Sequence, residues 1–132
     1  MTDIEVRHGD LTELADRIKG IRFAMVTLPD ADGSLRGRPL TVQDLEFDGT
    51  FWFLVSKESE WTSGLGSLGV NANAAFTDPG DARFVSVSGI ASLVDDQARI
   101  DDMWSPLYEA WFDGKDDPNV TLLRFDVDVA DY

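Results

Sequence analysis

Arg36 and Arg38 stand two residues apart in Leu35–Val42, a stretch with strand character. On a strand that spacing puts both guanidinium groups on one face, roughly 6.5–7 Å apart along the chain. In a chain of formal net charge −14, such a pair marks either an anion site or two cations matched by nearby carboxylates. Pro39 follows at once and suits an edge or bulged position. A second polar group, Ser56-Lys57-Glu58-Ser59, comes directly after the apolar run ending at Val55. Two hydroxyls and a lysine at a strand end, with backbone N–H groups still unpaired, either cradle a phosphate or cap the turn that follows.

Other chemistries are poorly supplied. The chain has no cysteine, which removes disulfides, thiolate nucleophiles and zinc–thiolate sites. His8 is the single histidine, so no multi-histidine metal site can form, and its polar N-terminal setting favours an exposed residue. Gly64-Leu65-Gly66-Ser67-Leu68-Gly69 matches G-x-G-x-x-G, but no strand leads directly into it and no helix follows. A glycine-rich connector accounts for it. Asp30-Ala31-Asp32-Gly33 opens like a calcium loop, yet the sixth and twelfth positions hold Leu35 and Thr41. A hairpin turn explains these four residues. Chemistry in this chain therefore calls for a bound cofactor.

Composition agrees with a globular domain. Apolar residues make up 43% and charged residues 27% of 132 residues, and no apolar run is long enough to span a bilayer. The acidic start, Met1-Thr2-Asp3-Ile4-Glu5, has no apolar core of a secretory leader, and the expected compartment is the cytoplasm. The strong negative charge disfavours nucleic acid and anionic membrane as partners.

The elements that must position the polar groups follow from periodicity. Leu11, Leu14, Ala15 and Ile18 repeat at helical spacing and predict a helix over 10–19, with Asp10 as its N-cap and Gly20 as its stop. Strands are expected over Ile21–Leu28, Leu35–Val42, Leu45–Phe47, Phe51–Val55, Ala72–Thr77 and Arg83–Val94. Gly89 inside the last of these predicts a bulge or a close backbone approach. A helical segment broken by Pro106 is expected over 96–112. A closing strand is expected over 120–129, with Leu123, Phe125, Val127 and Val129 on one face. Six or seven strands joined by short turns predict a mainly β domain over 1–132, a small antiparallel barrel (main strands within 21–94) with flanking helices. Trp104, Tyr108, Trp111 and Phe112 crowd one short segment, which favours either an interface or packing on the barrel.

Several stretches together resemble a known family. They are Ile21-Arg22-Phe23-Ala24-Met25-Val26-Thr27, Arg36-Gly37-Arg38-Pro39-Leu40, Glu46-Phe47-Asp48-Gly49-Thr50-Phe51-Trp52-Phe53 and Val85-Ser86-Val87-Ser88-Gly89-Ile90-Ala91, followed by Ala110-Trp111-Phe112 ahead of Asp117-Pro118. In order and spacing they resemble the pyridoxamine 5′-phosphate oxidase-like proteins of the general stress protein 26 type. The resemblance implies a split β-barrel that binds FMN, as a homodimer with flavin at the subunit interface, serving as an oxidoreductase or flavin carrier. It implies that Arg36 and Arg38 sit near the FMN phosphate or ribityl chain, and Pro39 and Leu40 beside the isoalloxazine. It places Ser56 and Ser59 in the phosphate loop and Trp111 near the flavin of the other subunit. In such relatives basic residues follow the second serine; this chain has Glu60 and Trp61 there, and Lys57 would compensate by turning inward. A barrel dimer that has lost FMN, or holds another anion, is the alternative these two residues imply.

Overall fold

In the computed structural model, residues 5–7, 11–42, 48–62, 64–65 and 68–132 are described. The expected cap Asp10, the expected strand Leu45–Phe47 and His8 lie outside them. The strands are β1 (Glu5–Arg7), β2 (Phe23–Pro29), β3 (Leu35–Thr41), β4 (Thr50–Ser56), β5 (Val70–Asp78), β6 (Arg83–Val94) and β7 (Val120–Asp131). The helices are α1 (Leu11–Ile18) and α2 (Gln97–Met103), with short 3-10 turns at Glu60–Thr62, Pro79–Asp81 and Pro106–Ala110.

The strands form one sheet in the order β1-β7-β6-β5-β2-β3, and β4 pairs with β7 off that path. Six strands pair antiparallel and curl into a half-barrel, while the short β1 lies parallel to β7. β3 ends the path without pairing to β4, so the barrel is split between these two strands.

Strict alternation builds the inner face. Ala24, Val26 and Leu28 of β2, Ala72, Ala74 and Phe76 of β5, and Val85, Val87 and Ala91 of β6 all point into the main core. Phe53, Phe76 and Phe125 are almost wholly buried there, and each contributes about 1.5–3 kcal/mol through burial. The apolar stripe of α1 adds Leu14 and Ile18. The far end of α1 is held by Arg83, whose guanidinium donates to the carbonyls of Arg17 (3.1 Å) and Lys19 (2.8 Å) and to Asp78 (2.6 Å). A cation suits those open helix carbonyls, and the bond from Arg83 holds the Asp78 carboxyl below its usual value.

β4 is buried on both faces. Phe51, Phe53 and Val55 enter the main core, whereas Leu54 joins Ile100, Met103, Tyr108, Val120 and Leu122 in a second one beneath α2. Asp96 caps α2 by accepting from the Arg99 N–H, and Pro106 starts the next 3-10 turn. Three of the four crowded aromatics therefore lie against the protein itself: Tyr108 is buried in this second core, with Trp104 and Phe112 packed against it. Trp111 remains 71% exposed.

The bulge expected at Gly89 is present, with the extra residue on the partner strand. Ser88 pairs with Val129 and Gly89 with Val127, so Asp128 has no opposite number. This reverses the alternation of β7: Leu123, Phe125 and Val127 are buried, then Ala130 rather than the expected Val129. A bulge shifts the side-chain phase by one residue, so the later residues exchange faces.

Candidate functional site

The split brings two sequence-distant segments together. Register pairs Arg36 with Leu28, Arg38 with Val26 and Leu40 with Ala24, which puts all three on the core side of the exposed terminal strand β3. Leu40 is drawn partly into the main core. Arg36 and Arg38 reach beyond it, both exposed, over the chain that leaves β4. Pro39 pairs with Met25 and so lies on the opposite face from Leu40.

That departing chain is tightly tied. The Ser59 N–H donates to Ser56 O, and the buried Thr62 hydroxyl donates within 3.0 Å of the Ser56 and Ser59 carbonyls. Ser56 Oγ accepts from the Glu58 N–H at 3.2 Å. The serine hydroxyls thus do cap a turn, and Ser59 does more. Its Oγ accepts from Arg38 Nη1 at 3.0 Å and from the Trp61 N–H at 3.3 Å. With two donors already placed, the Ser59 proton is left to point elsewhere. The Trp61 indole N–H reaches across the split to the Arg36 carbonyl at 3.1 Å. The Arg38 guanidinium carbon stands 5.7 Å from the Trp61 ring centroid, within cation–π range.

The two arginines differ in charge balance. Arg36 pairs with Asp30 at 3.5 Å. Among the described residues, Arg38 has no carboxylate within 4.0 Å, although the chain carries 25 acidic residues. An exposed guanidinium fork whose built partner is a hydroxyl has donors left for an oxyanion.

Lys57 is not brought to this group. The Lys57 ammonium pairs with Asp95 at 3.3 Å, and its backbone N–H donates to Asn119 O. It borders an open cavity of about 350 Å³ that Asp95, Asp96, Asp116, Asp117 and Pro118 also line. There the Asp117 carboxyl is held below its usual value by the N–H groups of Asn119 and Asp113. No cluster suited to a metal ion occurs among the described residues. Trp111 ends the last 3-10 turn, on the side of the second core. Sequence reasoning read Trp61 as a lost basic contact and missed that it bridges the split. Its indole beside an otherwise polar loop was the only signal.

A family model described as pyridoxamine 5′-phosphate oxidase like matches residues 9–132. The chain belongs to the pyridoxamine 5′-phosphate oxidase-like family. Solved relatives of this oxidase-like chain share its split barrel. A general stress family protein from Xanthomonas campestris pv. campestris is 36% identical, with a TM-score of 0.75 over 92% of this chain and 87% of that one. The general stress FMN/FAD binding protein from Xanthomonas citri is 34% identical, with a TM-score of 0.74 over 89% of this chain and 83% of that one. General stress protein 26 of Bacillus subtilis is 45% identical over 47 residues, which are 36% of this oxidase-like chain and 33% of that protein. Among the described residues, no helix is long and apolar enough to cross a membrane.

Proposed function

We propose that this chain binds FMN at the split, with the phosphate held by the Arg38 fork and the Ser59 hydroxyl. The carrying observation is the Arg38 guanidinium, which among the described residues has no carboxylate within 4.0 Å in a strongly acidic protein. An exposed arginine in such a chain ordinarily finds an acid; one oriented by a hydroxyl is prepared for an external anion. Arg36 gives weaker support, because Asp30 already draws on its charge. Leu40 is the residue of β3 placed to meet an apolar part of the ligand on the same face. Bound FMN would supply hydride or single-electron transfer, and the protein would supply orientation and charge. This reading keeps the chain an FMN carrier or FMN-dependent oxidoreductase; oxidation of NADH or NADPH by the loaded protein separates the two.

A second copy completes the reading. The outer face of the sheet exposes Phe23 (59%) and Met25 (46%) on β2 and Phe84 (58%) on β6. Pro39 and Ala75 flank Met25 on that face. Exposed apolar side chains grouped in this way suit a partner, and the homodimer implied by the resemblance supplies one. Light scattering is expected to give twice the 14.6 kDa chain mass, with Met25→Glu returning it to a single chain. A single-chain mass for the parent protein removes the dimer.

Glu60 favours a second reading, in which the same group holds a less charged anion. A carboxylate next to Ser59 opposes a phosphate dianion. Titration decides between them. Protein mixed with FMN and passed through gel filtration is expected to emerge yellow and to quench the flavin's fluorescence. Colourless protein with no quench defeats the FMN reading.

A further inference from the structure

We infer that Trp61 is the positioning residue of the anion site, holding Arg38 and Ser59 in one arrangement before any ligand arrives. The inference rests on the FMN reading above. Arginine on an exposed terminal strand has many rotamers, and a grip on phosphate loses affinity for each one that must be frozen out. Trp61 limits that freedom from three directions. Its ring, 7% exposed and rooted in the main core, lies beside the guanidinium. Its backbone N–H fixes the hydroxyl to which Arg38 donates. Its indole N–H ties the loop to the Arg36 carbonyl, one peptide-pair along β3 from Arg38 itself. Its side chain thus meets Arg38 and the β3 backbone, and its own backbone meets Ser59. The residue contributes no charge; it contributes order to a charge.

FMN and riboflavin differ only at the phosphate, so their two dissociation constants separate positioning from general support. In Trp61→Leu, which removes ring and N–H, FMN affinity is expected to fall about tenfold while riboflavin affinity stays within about twofold. In Trp61→Phe, which keeps an aromatic face and loses the indole N–H, the FMN loss is expected to be about threefold. Combining Trp61→Leu with Arg38→Met is expected to cost no more than Arg38→Met alone, because the tryptophan acts through the arginine. Should the leucine variant not fold, the phenylalanine variant decides alone. Equal losses for FMN and riboflavin assign Trp61 a purely structural role and overturn the inference, as does unchanged FMN binding in the folded variants. A parent protein that binds neither flavin removes the FMN reading and this inference with it. A parent that binds FMN and tolerates both substitutions removes the inference alone.

Discussion

Arg38→Met is expected to weaken FMN binding by about tenfold to a hundredfold and to leave riboflavin binding nearly unchanged. The substitution keeps the length and much of the apolar bulk of the side chain, and removes the charge and the fork. A charge-assisted hydrogen bond lost from a phosphate costs about 1.5–3 kcal/mol, which is that range of affinity. The fold should be indifferent, since the side chain lies on an exposed strand and, among the described residues, makes one hydrogen bond, to Ser59, beside the Trp61 ring. Arg38→Lys is expected to recover only part of the loss, because an ammonium cannot hold a hydroxyl and two phosphate oxygens in one plane. Rising salt should narrow the gap between parent and variant. Isothermal titration with both flavins measures all of this. An equal loss for the two flavins would place the phosphate elsewhere.

Gly89→Ala is expected to unfold the protein or to cost about 3 kcal/mol or more. A β-carbon there would press on the carbonyl of Asp126, lying 2.8 Å from its carbon and 3.0 Å from Val127 Cα. Those neighbours are backbone, so no rotamer change relieves the contact. They are also the part of β7 that turns from β6 toward β4, where the Val127 N–H donates to Gly49 O at 3.0 Å. Domains of this size hold only about 5–15 kcal/mol in reserve. Thermal melting checks the effect, with Gly64→Ala as the control, since a β-carbon at Gly64 meets nothing within 4 Å. A Gly89 variant that melts with the parent protein would mean that β7 shifts freely at the bulge.

Elements held by local alternation were plain in the sequence. Arg83–Val94 is a strand over the whole expected range because its buried residues keep one parity from end to end. β7 was legible only to its bulge. Nothing between Val127 and Ala130 announces the reversal, which arises because one strand must serve β6 on one edge and both β4 and β1 on the other. At the site, the two-residue spacing of the arginines correctly gave a shared face. The unequal balance between them depends on Asp30, six residues back across a hairpin. The turn of Lys57 toward Asp95, and of the Trp61 indole toward Arg36, joins residues that only the curl of the sheet makes neighbours.

The terminal position of β3 has a consequence for solution behaviour. An unpaired strand margin is a template on which another chain can add by backbone bonding. Arg36, Arg38 and Pro39 occupy that margin, two carrying charge and one lacking an N–H, while the Trp61 indole already consumes the Arg36 carbonyl. The residues proposed to grip a ligand therefore also guard against fibrous self-association, so evolution of the ligand preference is constrained by colloidal safety as well as by affinity.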